Sequence, residues 1–140
     1  MDRLDFILQT IDPWLNKYIS QGASALSAEE ALGVGVWLLE TEVNNGGFDQ
    51  YYFNTGGVLA VATVLFLRAI GATATASLLA AANANIPSLP LPSGRAERSA
   101  ALEQVHESSR FSALEAEFYA GIEDRISLLA AYLGYHENGT

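Results

Sequence analysis

From Gly56 to Ala82 the chain carries a single charged residue, Arg68. Side chains this apolar must leave water, so the segment has to lie inside a protein or a bilayer. Its strongly apolar part, Val58 to Leu67, is about half of the ~20 residues that a spanning helix needs, and Gly71, Thr73, Thr75 and Ser77 follow it. Two helices meeting near Gly71 fit better than one membrane span. The first, about 58–70, is predicted to be buried at the centre of a helical bundle. The second, 73–82, is Ala-rich and suited to close packing.

The flanking sequence follows the same period. Leu4, Ile7, Leu8, Ile11, Trp14, Leu15, Tyr18 and Ile19 recur at spacings of three and four, one helical face. Pro13, preceded by Asp12, implies either a kinked helix or two abutting ones. Ser27-Ala28-Glu29-Glu30 spells a capping box, and Leu32, Val36, Leu39 and Val43 form the stripe of the helix it opens. That helix is predicted to end at Asn44-Asn45-Gly46-Gly47, with a short helical turn at Asp49–Asn54 closed by Gly56-Gly57. Asn83 to Pro92, with Pro87, Pro90 and Pro92, reads as a loop. A helix over about 94–107, a break at His106–Arg110 and a last helix over about 113–135 complete the chain. The apolar face of that last helix is Leu114, Phe118, Ile122, Ile126, Leu129 and Leu133. No useful stretch alternates apolar and polar residues. The expected fold is therefore all-α, a compact bundle of about five to seven helices in one domain over 1–140.

Sixteen acidic and seven basic residues give a formal charge of −9. Seven acids and two bases fall in the first 45 residues, and eight acids and four bases in the last 48, around a nearly uncharged middle. Direct nucleic-acid binding, which needs clustered Lys and Arg, is not expected. A basic partner would be attracted. The chain has no Cys, which removes disulfides, thiol catalysis and Cys-based zinc sites, and the cytoplasm is the expected compartment. The start, Met1-Asp2-Arg3-Leu4-Asp5, lacks the basic region of a secretory signal, and no membrane association is expected.

Catalytic patterns are not found. The two histidines, His106 and His136, are far apart in sequence and fit no metal-ligand spacing. Gly46-Gly47 and Gly56-Gly57 lack the Lys and strand of a phosphate loop, and no Ser sits in a nucleophile elbow. Glu40 and Glu42, Glu115 and Glu117, and Glu123 and Asp124 are too close in sequence to share a helical face. No catalytic residue, metal or cofactor is assigned, and an enzyme is the less favoured reading.

Two clusters remain as candidate sites. The first is Glu42, Asn44, Asn45, Gly46, Gly47, Phe48, Asp49, Gln50, Tyr51, Phe53 and Asn54. Acids, amides and rings in one connection can line a small pocket. The same groups can equally cap helix ends and hold a tight turn, which makes them fold determinants. The second is acidic: Glu97, Glu103, Glu107, Glu115, Glu117, Glu123 and Asp124, interrupted by Arg95, Arg98, Arg110 and Arg125. Charges held on rigid helices can imitate a row of DNA phosphates, or can simply solvate a surface.

The run Glu42-Val43-Asn44-Asn45-Gly46-Gly47-Phe48-Asp49-Gln50-Tyr51-Tyr52-Phe53-Asn54-Thr55-Gly56-Gly57 resembles the signature of a bacterial all-helical domain family of unknown function, one member of which is a dimeric acidic DNA mimic. Ala69-Ile70-Gly71-Ala72, the Phe111–Tyr119 segment and Tyr132 extend the resemblance, over about residues 4 to 136. It implies an all-α fold and a homodimer. It also implies an acidic protein-interaction module directed at a basic DNA-binding protein. Small-molecule binding or catalysis at 42–54 and a structural accessory role are the competing readings.

Overall fold

A computed structural model describes residues 1–106 and 110–137. The described residues form seven α-helices and one short 3-10 turn, with no strand: α1 (Arg3–Gln21), the turn Ala23–Ala25, α2 (Ala28–Thr55), α3 (Ala60–Ala69), α4 (Thr73–Asn83), α5 (Arg95–His106), α6 (Phe111–Tyr119) and α7 (Arg125–Tyr132). The all-helical bundle expected from the periodicity is the fold observed.

Local chemistry explains where the helices begin. The Asp2 carboxylate accepts the Asp5 N–H at 2.8 Å and caps α1. Pro13 lies inside α1, which runs through it unbroken. Its exposed position leaves the pyrrolidine ring on the solvent side, so the one lost backbone bond is tolerated. Both halves of the capping box form at the start of α2: the Glu30 N–H donates to Ser27 Oγ, and the Ser27 N–H donates to Glu30 Oε1 at 2.8 Å. Lys17 Nζ reaches the same Glu30 oxygen at 3.0 Å and ties α1 to this cap.

The hub of the bundle is α2, which packs against α1, α3, α5, α6 and α7. Over residues 32–36 it is buried all round, and two glycines permit this. A Cβ on Gly33 would come within 2.7 Å of Ile11 and Trp14, and one on Gly35 within 2.5 Å of Thr63. Backbone thus meets side chain where α1 and α3 cross α2. One contiguous core runs from Ile7 and Ile11 through Leu39, Val43, Phe48, Tyr51 and Tyr52 to Leu67, Leu79, Phe118 and Leu129.

The segment expected to be central, 58–70, is buried along Ala60, Thr63, Val64 and Leu67 of α3, where it faces α2 and α4. Its other side, at Val58, Val61 and Leu65, faces outward. One expected boundary holds and one changes. The chain leaves helical angles at Gly46 and Gly47, where the helix was expected to end, and the helical stretch that follows runs to Thr55 and is closed by Gly56. The last helix is not continuous over 113–135. It ends as α6 at Tyr119, turns at Gly121 (φ +66°), and restarts as α7 at Arg125. Ile122, expected on the apolar face, is 79% exposed on that turn. No described helix is long and apolar enough to cross a membrane.

Candidate functional site

The signature run surrounds the break in α2. At Gly47 the backbone takes φ +77° and ψ −173°, a region open essentially to glycine alone. The break frees the Phe48 N–H, and Glu115 of α6 accepts it through Oε1 at 2.8 Å. A Cβ on Gly47 would run into that same carboxylate. Tyr119, one turn further along α6, donates its hydroxyl to the Val43 carbonyl at 2.6 Å. Both sides of the break are therefore fastened to α6.

The remaining polar groups of the run mostly engage one another. Glu42 Oε2 accepts from Gln50 Nε2 at 2.7 Å and from Asn54 Nδ2 at 2.9 Å, and so bridges the two halves of α2. Asn44 donates to Glu40 at 3.0 Å. Asp49 lies 3.1 Å from His106 Nδ1 of α5. The rings turn inward: Phe48 packs on Phe111, Phe118 and Tyr52, and Tyr51 lies edge-on to Tyr52. Burial pushes the Tyr51 and Tyr52 hydroxyls well above the ordinary tyrosine range. Tyr52 donates to Asn83 Oδ1, and Asn83 Nδ2 in turn donates to the Ala60 carbonyl. Phe53 carries the Arg95 guanidinium over its ring at 5.1 Å, while Arg98 bonds the Phe53 and Pro92 carbonyls. Asn45 is exposed beside Trp37 and Ile126, on a shallow groove between α1, α2 and α7.

The acidic candidates divide. Glu115 is occupied at the break in α2. Glu123 accepts the Ala74 and Thr75 N–H groups at 2.9 and 2.8 Å and the Thr75 hydroxyl at 2.8 Å, capping α4 from the turn after α6. Burial alone would raise its carboxyl, but these donors and nearby Arg125 outweigh it and hold the group below its ordinary value. Asp124 caps α7 through the Ser127 hydroxyl and N–H, which lower its carboxyl as well. Glu97, Glu103 and Glu117 are exposed. Glu107 lies outside the described residues. Of the described acids in this group, Glu123 and Asp124 are thus turned to helix N-termini and Glu115 to the break in α2.

Sequence reasoning missed a buried ion pair. Arg125, 7% exposed, donates to the Glu40 carboxylate, approaches the Thr75 hydroxyl at 3.4 Å, and holds its guanidinium carbon over the Phe118 ring, 3.6 Å from the centroid. It links α7 to α2, α4 and α6. Nothing in the local sequence marks it, since Glu40 and Arg125 are 85 residues apart.

Two hollows border these groups. One, of about 350 Å³, lies between the second half of α2 and α5, with Phe53 and Leu102 at its base and Asp49, Glu103 and His106 on its walls. The other, of about 260 Å³, lies where Leu78 of α4 faces Ile122, Glu117 and Arg125. Among the described residues no group of three or more metal-ligating side chains converges.

Residues 24–136 match the family described as DMP19-like protein. No curated protein matches the chain, and no solved structure does. The match covers most of the sequence, so the chain belongs to the DMP19-like family, which includes a DNA-mimic protein.

Proposed function

We propose that this chain is an acidic protein-interaction module that occupies the DNA-binding surface of a basic partner. The observation that carries the reading is the imbalance of exposed charge. Asp2, Asp5, Asp12, Glu29, Glu97, Glu103, Glu117, Asp124 and Glu137 are exposed, against Arg3, Arg68, Arg95 and Arg110. The other cations are drawn inward: Lys17 to Glu30, Arg98 to backbone carbonyls and Arg125 to Glu40. A helical body whose exposed carboxylates outnumber its exposed cations by about two to one presents the field that a DNA-binding surface is built to meet. Family membership supports the same partner type.

The signature turn supports this division of labour. Glu42, Gln50, Asn54, Phe48 and Glu115 are engaged with one another, so the run acts as the clasp that sets α2 against α6.

The test is capture and competition. The purified chain, immobilised, is expected to retain a basic DNA-binding protein, and in solution to release that protein from DNA. Attraction between exposed charges should weaken as salt rises. A captured partner that stays on its DNA at every concentration of this chain would reject mimicry for that pair.

A further inference from the structure

We infer that the hollow between α4, α6 and the turn that leads into α7 is an anchor site for one arginine side chain of a protein partner. Size makes the first selection. The hollow holds about 260 Å³, whereas pockets for small molecules run to ~300–1,000 Å³. It is small for a free ligand and ample for a single long side chain. Its walls make the second selection. Leu78 of α4 and Ile122 of the turn supply apolar sides, and Ile122 is 79% exposed. A side chain laid against it takes that apolar surface out of water.

Charge chooses the occupant. Glu117, Glu123 and Arg125 border the hollow. Arg125 is buried and donates to Glu40, so its charge is already matched. Glu123 accepts the Ala74 and Thr75 N–H groups, which are dipoles and leave its negative charge in place. Glu117 is exposed and has no ion pair or hydrogen bond among the described residues. The field in the hollow is therefore negative, and one carboxylate is open to a donor. An anion would be repelled. A wholly apolar side chain would cover Glu117 and give it nothing in return. A long cationic side chain meets both needs, its methylene stem along Leu78 and Ile122 and its head at Glu117. Arginine suits better than lysine, because its planar guanidinium can engage both carboxylate oxygens and gives up water more readily than an ammonium. Arginine is also among the residues that most often anchor an interface from within a pocket. The inference rests on the basic partner proposed above and names the point at which that partner is gripped.

The test begins without a partner. Arginine blocked at both ends, acetylated and amidated, is titrated into the full-length chain while the methyl resonances of Leu78 and Ile122 are followed by NMR. Saturable shifts at those methyls are expected, with a Kd of about millimolar for a lone side chain. Blocked lysine should bind more weakly, and blocked citrulline, which has the same shape without the charge, should not saturate. Glu117→Gln should weaken arginine binding about fivefold and Ile122→Ser about threefold, with circular dichroism unchanged. Val61→Ser, on the outward side of α3, should leave it as it is. No saturable shift at Leu78 and Ile122, or equal binding of citrulline, would overturn the inference. A captured basic partner whose affinity ignores both Glu117→Gln and Ile122→Ser would also overturn it, while leaving the proposed function standing. Saturable arginine binding in a chain that captures no basic protein would keep the site and reject the partner type instead.

Discussion

Gly47 combines a backbone region closed to side chains with a neighbour, Glu115, that fills the space a Cβ would need. Gly47→Ala must strain the backbone and dislodge the carboxylate that accepts the Phe48 N–H. Its expected cost is about 3 kcal/mol, read as a lower urea midpoint at unchanged slope. Arg125 is the second sensitive residue. Arg125→Met leaves the Glu40 carboxylate, 18% exposed, without its cation and is expected to cost about 3 kcal/mol. The double variant Glu40→Leu/Arg125→Met should recover part of that loss, because no buried charge is left unpaired. A double-mutant cycle by chemical denaturation measures the coupling.

At the level of elements, the short turn between α6 and α7 starts two helices at once. Glu123 reaches back to cap α4, and Asp124 caps α7. Both carboxyls are held below their ordinary values in the folded chain, so the unfolded chain binds protons more readily. Their contribution is complete above the unfolded values of about 4 and is lost as pH falls through the lower folded values. Glu123→Gln should therefore lower the melting temperature at neutral pH. The gap to the parent chain should narrow in acid, as pH falls below the unfolded value of about 4 and the parent carboxylate also becomes protonated. A gap that stays constant with pH would show that the ionised cap contributes nothing. The same turn stands where one helix was expected. Leu114, Phe118, Ile126 and Leu129 stay in helical register across Gly121, and a single glycine within such a pattern is weak reason to end a helix.

The whole molecule separates acids that build the fold from acids that only charge its surface. Glu115 and Glu123 belong to the first group, Glu103 and Glu117 to the second. Glu103→Gln/Glu117→Gln should leave stability within about 0.5 kcal/mol of the parent. The same pair should weaken capture of a basic partner, most at low salt, by a binding assay at two ionic strengths. Glu115→Gln should do the reverse, lowering stability by about 1–2 kcal/mol with little change in surface field.

What the sequence determines by itself is what neighbours along the chain can decide. The three- and four-residue spacings establish the helices, Ser27 and Glu30 start α2, Gly46-Gly47 interrupts it, and the charge count makes the surface negative. The signature run is legible as a unit, but pocket and clasp look alike in sequence because acids, amides and glycines serve both. Only the tertiary structure brings Glu115 to the Phe48 N–H across 67 residues, Glu123 to Thr75 across 48 and Arg125 to Glu40 across 85. Those pairings follow from how the helices cross. Crossing depends on where Gly33 and Gly35 let backbones approach and on which face of each helix finds a partner. Helical periodicity records that a face is apolar. It does not record what covers it, and so α3 reads as buried throughout while one of its sides, at Val58, Val61 and Leu65, stands in solvent.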